Sequence, residues 1–426
     1  MRSSPLHFQD AFRVFLRIGL LSFGGPAAQI ALMHREIVDE KGWLTERQFL
    51  NALSFCMLLP GPEAMQLATY SGWRLHGVRG GLMAGLLFVV PGAVVIWALA
   101  LTYFLWGTTS VMASLFLGVK AAVLVVVLQA LLKLAKKALI RPWHWGLAGL
   151  AFVAIFVFNV PFPFIVLGAG ICGAIVMQSA PVEVVEFKKP PVMDTMRTIL
   201  LWLVIWMAPI ALIWLLGGAQ VFVDIGLFFS KLATVTFGGA YAVLAYMAQD
   251  AVQGQGWLSA SEMLDGLGLA ETTPGPLILV TEFVGFFAGA RAGEHALLYG
   301  SLAAILTVWV TFVPCFLWVF TGAPYIEYLG QRPRIMGALQ AISAAIVGVI
   351  LNLSLWFSLH VMFDEVTQVQ SGVLTLWLPE IGSLNWTVLA ISVWAGIALL
   401  WQGWDMVRVL CVAAILGYAS VYFGIG

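Results

Sequence analysis

The sequence predicts an all-α polytopic membrane protein made of two homologous halves in inverted topology, its helices broken into hairpins at Phe-Gly-Gly and Pro-Gly-Pro motifs. Three observations predict it. The 426 residues are 61% hydrophobic and only 10% charged, whereas an average soluble protein carries roughly 25% charged residues. Three triplets recur in one register: Phe23-Gly24-Gly25 as Phe237-Gly238-Gly239, Gly42-Trp43-Leu44 as Gly256-Trp257-Leu258, and Pro60-Gly61-Pro62 as Pro274-Gly275-Pro276, each 214 positions on. Such agreement marks an internal duplication. Finally, lysine and arginine change sides between corresponding loops of the two copies.

Taken in chain order, the start MRSSPLHFQDAFRVFLRIGLLSFGG reads as working protein rather than signal peptide. Arg13 and Arg17 interrupt its apolar part, no A-x-A-like site follows, and its tail recurs in the second copy. Residues 10–40 and 45–77 are expected to be helix hairpins that enter and leave on one side, with tips at Phe-Gly-Gly and Pro-Gly-Pro. A rival reading makes 10–40 two short full spans. Ordinary spans are expected near 80–106, 110–132, 144–159 and 161–178. Runs such as GLMAGLLFVVPGAVVIWALALTYFL (81–105) and SVMASLFLGVKAAVLVVVLQALL (110–132) reach the roughly 20 residues that crossing requires. The first repeat then covers 1–180, and the polar, proline-containing stretch 181–197 forms a cytoplasmic linker. A single helix over 198–216 inverts the second copy. That second repeat, 217–426, carries spans near 295–320, 336–360, 384–400 and 406–424.

Charge sets the orientation, because basic residues collect in cytoplasmic loops. Arg35, Lys41 and Arg47 flank the first Gly-Trp-Leu, while its counterpart has no Lys or Arg between 248 and 261. KLAKKALIR (133–141) is basic and LSLWFSLHV (353–361) is not; GTTS (107–110) is uncharged, and its partner region holds Arg332 and Arg334. The N-terminus is therefore placed in the cytoplasm and the C-terminus outside.

Composition also excludes. Basic and acidic residues balance at 21 each, so no bulk charge calls for nucleic acid. Cys56, Cys172, Cys315 and Cys411 lack disulfide or metal spacing, and the six histidines form no H-E-x-x-H, so no metal or cofactor is expected. GAGICG (168–173) imitates a dinucleotide fingerprint inside an apolar span, where small residues serve helix packing. There is no G-x-x-x-x-G-K-[ST] loop for ATP. No nucleophile or redox constellation points to an enzyme.

The broken helices carry the candidate chemistry. Irregular backbone at membrane depth persists only where protein or a wet cavity satisfies its polar groups. A helix start offers unpaired N–H donors and a partial positive charge, hence an anion site without a cation in lipid. Pro62 and Pro276 are expected to begin new helices. Inverted repeats with discontinuous helices at the midplane are the usual build of secondary transporters. The predicted substrate residues are Ser22, Phe23, Gly24, Gly25, Pro60, Gly61, Pro62 and Gln66 in the first half. In the second they are Thr236, Phe237, Gly238, Gly239, Pro274, Gly275 and Pro276. The hydroxyls of Ser22 and Thr236 are read as oxyanion donors. Arg17 and Lys231, each six residues before a Phe-Gly-Gly, either neutralise an anion or snorkel to the interface. Glu63 and Glu271 are the proton-coupling candidates, Glu63 having the plainer alternative of complementing a helix dipole. Asn51 and Asp265 are matched polar positions.

The stretches SFGGPAAQIALMHREIV…GWL and LLPGPEAMQLATYSGWRLHGVRGGLMAG, with TFGGAYAVLAYM…GWL and ETTPGPLILVTEFVGF, resemble the chromate ion transporter family in its two-domain form, over nearly the whole chain. The resemblance implies a bacterial or archaeal plasma (inner) membrane protein that exports chromate, coupled to protons or to the membrane potential. It leaves sulfate or another oxyanion open as cargo, and a homo-oligomer open as assembly; the remaining partners are protons and the lipid bilayer. Leu277 stands where the first copy has Glu63, and Phe283 where it has Thr69, so the first half is the expected seat of chemistry. An oxyanion importer or exchanger and a non-transporting membrane scaffold are the competing readings.

Overall fold

The computed structural model describes residues 7–23, 25–176, 192–237, 244, 246–247, 250–326, 333–371 and 374–424. It is the expected helical membrane architecture with one addition. Among the described residues, five helices are long and apolar enough to cross a bilayer: Glu63–Trp106, Ser110–Ala138, Val192–Leu215, Ala296–Tyr325 and Arg334–Met362. The addition is a strand pair between two of the expected spans. Val366–Ser371 and Leu374–Pro379 pair as antiparallel strands, with Val366 opposite Pro379 and Val369 opposite Leu376. The β-branched, alternating sequence VTQVQS favours extended backbone, and no apolar run long enough to span competes with it there.

The helix Glu63–Trp106 has 44 residues and, straight, would measure about 66 Å, twice the bilayer's hydrocarbon thickness. It breaks at His76 (φ −137°, ψ 27°) and Gly77 (φ 61°, ψ −154°), the latter a conformation glycine tolerates. The two arms fold back on bare faces. A methyl on Gly72 would run into Gly80 O, and one on Gly85 would lie 2.5 Å from Thr69 Oγ1. Val280–Ala290 and Ala296–Gly322 repeat this hairpin in the second half: Gly285 backs onto Thr307, and Gly289 onto Ala303. Phe8–Leu21 has 14 residues and Gly25–His34 has 10. At about 1.5 Å per residue, each is shorter than an ordinary span.

The described residues group into two compact units, and these do not follow the sequence halves. One draws on 1–98, 178–240 and 273–336, the other on 99–177, 241–272 and 337–426. The first holds the described residues of the Phe-Gly-Gly motifs and both Pro-Gly-Pro motifs. Its Gly-Trp-Leu loop is closed by a capping box at Thr45 and Gln48 and by His34, whose ring nitrogens reach Glu46 at 2.5 Å and Asp39 at 3.2 Å.

The second unit is held by small residues at close helix contacts, where lipid supplies no hydrophobic drive and backbone approach decides. Ser110–Ala138 packs on Met406–Tyr422 so tightly that a methyl on Gly118 would collide with Ala413 O. Gly173 meets Gly337 in the same way, so GAGICG is a packing element. Lys120 and Tyr103 gather round buried Asp265, and Lys120 also donates to Ser261 Oγ at 2.6 Å. Tyr103 donates to the Asp265 carboxylate at 2.6 Å, and Lys120 stands 3.5 Å away. Asn51, its sequence counterpart, is exposed.

Two outcomes are expected. Gly118→Ala forces the helices apart and costs about 1–3 kcal/mol, the range for overpacking, read as a lowered unfolding midpoint in detergent. The Glu46 contact raises the His34 pKa above its ordinary 6.5. That tie is therefore complete below the ordinary value and is lost as pH rises through the raised one. An NMR titration of His34 shows the elevation, and Glu46→Gln removes most of it.

Candidate functional site

Four broken-helix tips lie within the first unit, and two of them end alike. Phe8–Leu21 stops at buried Ser22, whose hydroxyl donates to Ile18 O at 2.5 Å. Gln220–Val235 stops at buried Thr236, whose hydroxyl donates to Leu232 O at 2.6 Å. The bond back to the fourth preceding carbonyl spends the hydroxyl proton and turns the chain out of the helix. This corrects the expectation that the two hydroxyls donate to an oxyanion. Phe23 and Phe237 follow in the same local geometry, their N–H groups bonded to Leu21 O and Val235 O at 2.9 and 3.0 Å. Gly24, Gly238 and Gly239 lie outside the described residues.

Each Pro-Gly-Pro then closes on the other half. Gly61 N–H donates to Thr236 O at 2.7 Å, and Gly275 N–H donates to Ser22 O at 2.9 Å. The two glycines have φ of +120° and +90°, values that exclude other residues without strain. Two glutamines reinforce the tips. Gln29 Nε2 donates to Gly275 O at 2.7 Å and Ser22 O at 3.2 Å, and Gln66 Nε2 donates to Pro60 O at 2.7 Å. Each tip also rests on a proline-bearing helix. A methyl on Gly61 would meet Cys315 Sγ at 2.8 Å, next to Pro314, and one on Gly92, next to Pro91, would collide with Pro274 O.

Helix starts differ from expectation by a residue or more. The helix after the first motif begins at Glu63, with Pro62 O accepting from Gln66 N at 3.1 Å. After the second motif one 3₁₀ turn, Leu277–Leu279, intervenes before Val280. The extra turn appears where Leu277 replaces the acidic residue that favours an α-helical first turn. The Gly61 and Gly275 donors are taken, whereas the start of Gly25–His34 faces open space. A methyl on Gly25 would have nothing within 4 Å.

The charged candidates separate. Arg17 lies 3.2 Å from Glu36, a residue only 1% exposed, so its charge is committed to a buried carboxylate. Lys231 is exposed on its helix. Glu63 is half-buried at a helix start, the position the macrodipole favours. Glu271 is buried at the end of Ala260–Glu271, in the other unit. Sequence reasoning missed Gln29, Glu36, Gly92 and the buried Glu282. Gln29 and Glu36 stood in plain view as polar residues on the helical stretch PAAQIALMHREI, and Gly92 as the neighbour of Pro91.

The family model described as chromate transporter matches residues 9–174 and 223–418, one match in each half. A chromate transport protein of Pseudomonas aeruginosa is 31% identical over 81% of this chain and 80% of its own length. A probable chromate transport protein of Synechococcus elongatus is 29% identical, covering 82% and 85%. An uncharacterized transporter of Bacillus subtilis, YwrA, is 29% identical over 39% of this chain and 95% of its own length. No solved structure matches with significance.

Gly92→Ala is expected to unseat the second Pro-Gly-Pro and to cost about 1–3 kcal/mol, because backbone rather than a pliable side chain stands in the way. The check is the unfolding midpoint in detergent, with Gly25→Ala, which meets no neighbour, as the strain-only comparison.

Proposed function

The chain belongs to the chromate transporter family, and from that premise we propose that it is a secondary carrier that exports chromate from the cytoplasm, driven by protons or the membrane potential. The observation that carries this reading is the reciprocal pair of bonds between Gly61 and Thr236 and between Gly275 and Ser22. Two halves inverted about an axis in the membrane plane supply such an exchange naturally, and they bring broken helix starts together at one depth. Charge reversal between corresponding loops supports the same inversion, with the N-terminus in the cytoplasm and the C-terminus outside.

Chromate is a tetrahedral dianion whose oxygens only accept hydrogen bonds. The start of Gly25–His34 offers backbone donors to it, and the starts of this helix and of the Glu63 helix both carry partial positive charge. Phe23, Gly24 and Gly25 with Pro60, Gly61, Pro62 and Gln66 are assigned to the nearer wall. Phe237, Gly238 and Gly239 with Pro274, Gly275 and Pro276 belong to the second half's pair of tips. Ser22 and Thr236 hold the tips in register through their carbonyls. Arg17 acts through Glu36, and Lys231 supplies long-range positive potential. Glu63, and in the other unit Glu271, are the acidic groups placed to respond to a proton.

The test is labelled chromate uptake into inside-out membrane vesicles, energised separately by an acidic lumen and by a lumen-positive potential, with and without excess sulfate. Energised uptake that resists sulfate and is abolished by Gly61→Ala is the expected result. Equal inhibition by sulfate makes the protein a general oxyanion carrier, and no uptake above empty vesicles overturns the transport reading in favour of a scaffold.

A further inference from the structure

One buried carboxyl in the first unit has no part in the tips or in their anion site. Glu282 is the single charged residue of the helix Val280–Ala290. It is 3% exposed, and its Oε2 has no hydrogen-bond partner. No ion pair reaches it among the described residues. An ionised carboxylate held this way is far costlier than a neutral one, and ionisable groups inside membrane proteins mark ion or proton pathways.

Its surroundings give the group a direction. Thr307, Thr311 and Cys315 stand four residues apart on Ala296–Gly322, hence on one face, and all three are buried. Thr307 lies against Gly285 and Cys315 against Gly61. The antiparallel register set by Gly285 on Thr307 and Gly289 on Ala303 puts Glu282 level with Val310, the chain neighbour of Thr311, and Thr281 level with Thr311 itself. Thr311 Oγ1 has no hydrogen-bond partner, and neither has Gln66 Oε1, beside Gly61 at the first Pro-Gly-Pro. Cys315 Sγ contacts Thr311 O at 3.6 Å. A row of buried polar atoms therefore leads from Thr311, one residue from the level of Glu282, through Cys315 to the first tip. No charged residue of Ala296–Gly322 or Gln220–Val235, two helices packed on Val280–Ala290, faces it. Ala296–Gly322 carries no acid or base beyond Tyr299 and Cys315. Gln220–Val235, also packed on Val280–Ala290, carries Asp224 and Lys231, both exposed and seven residues apart on the outer face.

We propose that Glu282 is the protonation site that sets the affinity of the first tip for its oxyanion: the neutral carboxyl admits the dianion, and the ionised one repels it. One proton binds to the carboxylate, and its loss leaves one negative charge. Thr311 and Gln66 carry the polar path between the two sites. The inference rests on the proposed oxyanion cargo. By linkage, the oxyanion must hold the proton on Glu282 as strongly as the proton favours the oxyanion. With an effective dielectric constant of about 20, one charge about 10 Å from a dianion changes its affinity by more than about tenfold.

The experiment is equilibrium binding of labelled chromate to the purified full-length protein in lipid nanodiscs, from neutral to alkaline pH, where the cargo is already a dianion. The wild type is expected to lose at least about tenfold in affinity as pH rises. Glu282→Gln, a neutral near-isostere, is expected to bind at every pH as the wild type does at neutrality. A Glu282→Gln protein with the wild-type pH dependence overturns the proposal. Infrared spectra of the same samples at neutral pH supply an independent arm. A protonated-carboxyl band that Glu282→Gln lacks supports the protonation site even where no chromate binds, an outcome that would sink the transport reading alone. Absence of that band overturns the inference whatever the binding shows.

Discussion

Everything in the first unit depends on where two glycine N–H groups find acceptors. A Pro-Gly-Pro break leaves peptide groups that the bilayer core cannot solvate, at several kcal/mol for each one unsatisfied. Here Gly61 and Gly275 satisfy theirs on the carbonyls of Thr236 and Ser22. Those carbonyls are free to accept because each helix has just ended. Breaking one helix is tolerable because another breaks beside it. The glycine φ values, the glutamine brackets and the bare glycine at position 92 are conditions for bringing backbone to backbone.

The same constraint explains how the surrounding helices pack. Apolar side chains gain little by leaving lipid for one another, so contact must come from close fit. Gly72 on Gly80 and Gly285 on Thr307 in one unit, and Gly118 on Ala413 in the other, are contacts with no room for a methyl group. Glycine thus has two separate uses in this chain. At 61 and 275 it permits a backbone conformation, while at 118 and 285 it permits an approach inside a regular helix.

Much of this could be read from the sequence, for identifiable reasons. Apolar runs and the break between 77 and 80 are local signals, and the repeat register located the tips without any structure. What could not be read is pairing at long range. Nothing in ETTPGPLILV says that Gly275 bonds to Ser22, nor in MHREI that Glu36 is the buried partner of Arg17. The strand pair over 366–379 was hidden because a stretch between two spans has weak pattern of its own. Glu282 was overlooked for a different reason. It aligns with Ala68 in the first copy, so a search guided by what the halves share passes over what only one of them has.

That asymmetry bears on how a duplicated scaffold works. The halves share the parts that hold the tips together, and each carries one donor glycine and one acceptor carbonyl for the other. They differ in what surrounds those parts: Glu63 and Gln66 against Leu277 and Val280 just after the break, and Ala68 against Glu282 one turn further. A helix start with an open donor set suits an anion, whereas a buried, unpartnered carboxyl suits a proton. On the proposed reading, the carboxyl unique to the second copy and the helix start of the first keep proton and oxyanion on separate residues, while the reciprocal bonds join their supports. An ionised carboxyl and an oxyanion repel, so occupancy of one site favours protonation of the other.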